Sequence, residues 1–138
     1  MIRRSALLLA ASAASLFLAG CATQMSAPAK RVFFVEPADG AVVTSPFKVK
    51  FGVAGMELKP AGDETPNSGH HHVLINMESM AEGQTIPFSD THIHFGKAQT
   101  EGEIKLAPGV YTLTMQFANK DHVSYGKGMA TSIRVTVK

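Results

Sequence analysis

From Phe47 to Val53 the chain reads F-K-V-K-F-G-V, with Phe47, Val49, Phe51 and Val53 at alternate positions and Lys48 and Lys50 between them. A helix cannot use that pattern, because its apolar stripe recurs every three to four residues. Period two specifies a strand with one face buried and one face wet. Working outward, the same period returns in V-Y-T-L-T-M-Q-F (Val110–Phe117) and in I-R-V-T-V (Ile133–Val137). V-F-F-V-E (Val32–Glu36) stops at Pro37, and A-D-G then supplies a turn. Gly, Pro, Asp and Asn punctuate the gaps, as in Pro60–Gly69 and Ala107–Gly109. No segment beyond residue 30 carries a helical stripe.

Strands are therefore predicted at 32–36, 47–53, 71–77, 91–95, 103–106, 110–117 and 131–137. About seven short strands with turns between them describe an all-β chain, a single immunoglobulin-like antiparallel β-sandwich. A-P-G-V-Y, with Tyr111 opening a strongly alternating strand, is placed like the tyrosine corner of such sandwiches. An extra strand at Gln84–Phe88 is an alternative that reverses the parity of the 91–95 strand. Residues 31–138 are long enough for one core and one domain.

The amino terminus is of another kind. Arg3 and Arg4 precede an apolar, small-residue run from Ala6 to Gly20 that ends in L-A-G-C. A charged start, a short apolar stretch and small residues before the cut describe a signal peptide over residues 1–20. L-A-G-C resembles the lipobox of bacterial lipoproteins, in which the cysteine is lipidated after cleavage. Cys21 is the one cysteine of the chain, so lipidation there would remove a free thiol from an exported protein. Residues 21–30 then read as the lipidated Cys21 and a flexible tether. Ala22 in the next position resembles the sorting context of Gram-negative outer-membrane lipoproteins. The expected location is exported and lipid-anchored, on the periplasmic face of that membrane.

Charge narrows the partners. The chain has 13 basic and 11 acidic residues; losing Arg3 and Arg4 with the signal leaves 11 of each. There is no basic run or aromatic–basic interleaving, so nucleic acid is not an expected partner.

The chemistry lies in the histidines. All six fall between His70 and His122, in N-S-G-H-H-H-V-L-I-N, in T-H-I-H-F-G and in N-K-D-H. On a strand, His71 shares the parity of Val73 and Ile75, while His70 and His72 share the opposite face; likewise Ile93 and Phe95 face inward and His92 and His94 outward. Side chains two residues apart on one strand face are separated by about 7 Å, so two imidazoles can converge on one ion. His70, His71, His72, His92, His94 and His122 are the candidate metal ligands, for copper or zinc, which suit imidazole. In a standard sandwich the 71–77 and 91–95 strands lie in opposite sheets. Convergence would then run over the rim, through His71, His94, His122 and Glu101, with His92 deeper along its strand. Gln99, Thr100 and Glu101 form a further candidate site, Glu101 being able to act as a base beside a metal-bound water.

G-H-H-H-V-L-I-N, D-T-H-I-H-F-G-K-A-Q-T-E and L-A-P-G-V-Y-T-L-T-M-Q-F-A-N-K-D-H together resemble the bacterial domain-of-unknown-function family 4399, over roughly Gly69 to Val137. The resemblance implies a small, exported, mostly β domain and no established activity. Asn76 and Ala98 depart from the family's usual Asp and Gly, and neither departure puts a histidine in doubt. The expected function is a non-enzymatic, lipid-anchored envelope binding protein whose histidine-rich pole holds a transition metal. The alternative is an immunoglobulin-like module with structural histidines, docking an envelope protein or glycan through the segments Glu57–Gly69 and Glu78–Asp90.

Overall fold

The computed structural model describes residues 24–138. The signal segment, Cys21 and the start of the tether lie outside the described residues; residues 24–30 are exposed and have no regular secondary structure. Nine strands follow among the described residues: β1 (Arg31–Glu36), β2 (Ala41–Val43), β3 (Phe47–Ala54), β4 (Glu57–Leu58), β5 (Ser68–Ile75), β6 (His92–Phe95), β7 (Glu101–Ile104), β8 (Gly109–Ala118) and β9 (Ala130–Val137). They form two sheets, β1-β3-β7 and β2-β9-β8-β5, with β4 and β6 sharing the remaining edge of β5. The chain is all-β, an immunoglobulin-like sandwich.

The alternating faces meet as their pattern requires. Phe47, Val49 and Phe51 of β3 are buried, opposite Val73 and Ile75 of β5, Leu113, Met115 and Phe117 of β8, and Ile133, Val135 and Val137 of β9. Each such side chain contributes about 1.5–3 kcal/mol of burial as an upper bound. The Tyr111 hydroxyl donates to the Ala107 carbonyl at 2.9 Å, which is the expected tyrosine corner.

Two features differ from the expected sandwich. The first segment divides between the sheets: after β1 the chain turns at Gly40 (φ 81°), and β2 runs parallel to β9 in the other sheet. Asp39 fixes this crossing, its Oδ1 accepting from the Arg134 amide at 2.8 Å. More consequentially, β6 does not join the opposite sheet. It pairs antiparallel with β5, setting His94 against His72 and Phe95 against His71. Residues 76–91 are long enough to return the chain beside β5, and in doing so they fold over the outer face of the large sheet. They contain no Gln84–Phe88 strand, only isolated bridges between Thr85 and Val123 and between Ser89 and His92.

That cover explains why every residue of β5 is buried, although its inner face alone touches the core. Gln116, at the centre of the outer face, anchors it. Its Oε1 accepts from the Met80 amide at 3.0 Å, and its Nε2 donates to the Gly126 and Met129 carbonyls at 3.1 and 3.3 Å. A second, smaller core of Leu74, Ile86 and Ala118, flanked by Met77 and Met80, fills the space beneath.

Ala98 has φ 58°, a left-handed conformation that a Cβ disfavours. Ala98→Gly is expected to raise stability by about 1 kcal/mol. A shift of the urea midpoint to higher concentration at unchanged slope is the measure; no shift would show that this turn carries no strain.

Candidate metal centre

The outer face of β5 presents His70 and His72. His94 of β6 lies directly across from His72, and the turn after β8 brings His122 over them. One donor nitrogen from each of these four rings lies within 4.8 Å of all the others. His70 Nε2 and His122 Nδ1 are already 3.1 Å apart and share a hydrogen bond. The ring centroids of His94 and His122 are 4.7 Å apart, and those of His70 and His72 are 4.8 Å apart. An ion held tetrahedrally by nitrogens at 2.0–2.1 Å would set them about 3.3 Å from one another, so only side-chain adjustment is required.

Local sequence explains each placement. His70 and His72 follow from strand parity. His94 depends on the glycine two residues later: a Cβ on Gly96 would sit 2.1 Å from the His94 ring. His122 ends the turn N-K-D-H with φ 62°. Asn119 shapes that turn, its Oδ1 accepting from the amides of Asp121 and Val123 at 2.9 and 3.0 Å. The His122 carbonyl accepts from the Ile86 amide at 2.8 Å, tying this turn to the covering loop.

Half of the group is shut off from solvent. His70 and His72 are fully buried, and His94 and His122 are partly so. Burial, followed by the neighbouring His94 and His122, lowers the His70 pKa to about 4. Burial first, and then the other rings, lowers His72 to about 2. Burial and the His122 ring also hold His94 below the ordinary histidine value. Near neutral pH these rings are uncharged and their lone pairs are free to bind.

Buried polar atoms normally have partners, yet His70 Nδ1, both nitrogens of His72 and His94 Nε2 have none. Leaving such a group unsatisfied costs about 1–3 kcal/mol. Four converging imidazoles, one of them His72 with neither nitrogen partnered, are what a transition ion accepts. The group can therefore hold a metal, and the residue types fit copper or zinc.

The remaining candidates lie elsewhere. His71 points into the main core, its ring 4.7 Å from Phe51 and 5.0 Å from Phe117, with neither nitrogen partnered and its pKa lowered by burial to about 3. His92 opens β6, and its Nδ1 lies 2.7 Å from the Ser89 hydroxyl. Glu101 belongs to the three-stranded sheet and pairs with Lys48 at 3.7 Å. Gln99 Oε1 accepts from the Lys97 amide, and the Thr100 carbonyl accepts from the Phe51 amide. Convergence occurs on the outer face of the large sheet and not over the rim, because β5 and β6 are neighbours. The sequence reading missed Gly96, Gln116 and Asn119, although the glycine in H-F-G and the turn residues of N-K-D-H were visible signals. It also missed Phe88, which is 67% exposed and meets the rings of His94 and His122 edge-on at 5.1 and 5.0 Å.

No helix among the described residues is long and apolar enough to cross a membrane. No curated protein matches the chain. Among solved structures, the endo-β-1,4-mannanase from Thermotoga petrophila is similar in fold, with a TM-score of 0.51 at 14% identity. The likeness covers 84% of this chain and 21% of that protein, so the chain spans about a fifth of its length. Residues 49–138, which carry all six histidines, match the domain of unknown function DUF4399, and the chain belongs to that family.

Proposed function

We propose that the protein is a non-enzymatic, lipid-anchored component of the bacterial envelope that binds a transition metal, copper or zinc, through His70, His72, His94 and His122. The single observation behind this reading is the convergence of four buried or half-buried donor nitrogens within 4.8 Å. The L-A-G-C segment at Cys21 supports the location, and loss of membrane association in Cys21→Ser would bear on it separately. The function is storage, delivery or sequestration of the ion.

Titration of the purified protein with Cu(I), Cu(II) and Zn(II) is the test. Micromolar or tighter binding of at least one ion is expected, with loss of about 100-fold or more when His70 and His72 are both changed to Ala. Weaker binding of every ion, indifferent to that change, overturns the proposal. Gly96→Ala should lower the affinity about 10- to 100-fold by displacing the His94 ring, as loss of a ligand-orienting contact does. Competition against a chromophoric chelator measures it, and an unchanged affinity would show that the ring needs no glycine beside it.

A second reading follows from Phe88, which stands exposed beside a cleft that also borders Asp90, His92, His94, Lys105 and Tyr111. It is the interaction module, docking an envelope protein there. Capture of such a partner that survives a chelator, and fails with Phe88→Asp, would favour it.

A further inference from the structure

We infer that the four-histidine centre is built for a monovalent ion, Cu(I), in preference to Zn(II) or Cu(II). The inference rests on the metal-binding reading and concerns which charge the site accepts. Its first ground is the donor set. All four donors are imidazole nitrogens, and an imidazole ligand brings no negative charge to the ion. Every Asp and Glu of the sequence lies among the described residues, and none joins the group. An ion entering here keeps its whole charge.

The second ground is the medium around that charge. Leu74, Ile86, Ala118, Met77 and Met80 pack behind the site, and Phe88 stands edge-on at its mouth. In a continuum picture, the cost of moving an ion from water into such a medium grows with the square of its charge. A divalent ion therefore pays about four times the penalty of a monovalent ion of equal size. Sites for divalent ions ordinarily reduce this cost through carboxylates or carbonyls that accept the distal N–H of each ligating histidine. His72 has no such partner on either nitrogen, and His70 has none on Nδ1, the nitrogen not bonded to His122.

Shape is the third ground. His70, His72 and His94 rise from one sheet face, and His122 reaches them from the turn after β8. Cu(II) favours a tetragonal plane, whereas Cu(I), with a filled d shell, has no such preference and takes donors that reach it from a sheet face and a turn. Zn(II) accepts the shape, so its double charge alone sets it behind Cu(I) here.

The test compares dissociation constants of the purified protein for Cu(I), kept anaerobic, for its redox-inert analogue Ag(I), and for Cu(II) and Zn(II). Cu(I) is expected to bind at least about 1,000-fold more tightly than Cu(II), which raises the reduction potential of the bound copper above that of the aquo couple by about 180 mV, at 59 mV for each tenfold ratio. Ag(I) should likewise outcompete Zn(II). Phe88→Asp places a carboxylate at the mouth, and comparison with the neutral isostere Phe88→Asn isolates its charge. The aspartate should cut the preference at least about tenfold and lower the potential by about 59 mV relative to the asparagine. Equal or tighter binding of Cu(II), with a potential at or below the aquo couple, overturns the inference and leaves the metal centre standing. Identical potentials in the two Phe88 variants also overturn it. Failure of all four ions to bind removes the metal reading beneath it.

Discussion

Taking the metal-free protein from pH 7.5 to 5.5 is expected to remove about 4 kcal/mol of folding stability, about 1.4 kcal/mol for each of three buried histidines one unit below their ordinary pKa. His70, His71 and His72 are at most 1% exposed, and burial lowers their pKa values from 6.5 to about 4, about 3 and about 2. Below pH 6.5 the unfolded chain takes up three protons that the folded chain refuses. The stability is thus fully present above 6.5 and is lost as the pH falls, until His70 begins to accept its proton near 4. A domain of this size has about 5–15 kcal/mol in all, so the loss brings it close to unfolding. Urea unfolding at the two pH values measures it. Equal stabilities would mean that the folded protein opens to protonate these rings at little cost.

His71 separates the core contribution from that of the metal site. His71→Leu keeps the volume between Phe51 and Phe117 roughly filled and removes two unpartnered nitrogens. It should raise stability above pH 7 by about 1–2 kcal/mol and shrink the acid loss by about a third. Metal affinity should not change, because His71 faces away from the other rings.

Saturating the centre with whichever of copper or zinc it binds more tightly has an effect of similar size and opposite sign. At 1,000 times the dissociation constant, an ion that binds only the folded chain adds about 4.1 kcal/mol. For a domain of about this length that corresponds to a rise in Tm of roughly 15 °C. Thermal melts with the ion and with excess chelator provide the comparison, and the variant lacking His70 and His72 should show none of the rise. A rise that survives their removal would place the stabilising ion elsewhere.

Strand parity made much of this molecule legible. F-K-V-K-F-G-V placed Phe47, Val49 and Phe51 in the core, and the same rule set His71 inward and His70 and His72 outward. It did not show that outward here still means buried, because burial of that face depends on residues 76–91 folding back over β5, and nothing local encodes a long-range return. For the same reason the pairing of β6 with β5 was not legible. Two strands separated by sixteen residues fit either sheet by periodicity alone. His92 and His94 have identical parity; Ser89 engages the first and Gly96 makes room for the second, a distinction carried by neighbours and not by period.

The four rings come from three stretches of chain separated by two crossings, and the turn bearing His122 is tied to the loop bearing Ile86. Such contacts close late, because each must first overcome the entropy of a long loop. A chain still unfolded would carry only the neighbouring pair His70 and His72 as a local chelate, and a loose one. High-affinity capture would then begin only after β6 and the His122 turn have docked. On the proposed metal reading, folding would come first and loading second, so a bound ion would certify a finished molecule and not template an unfinished one.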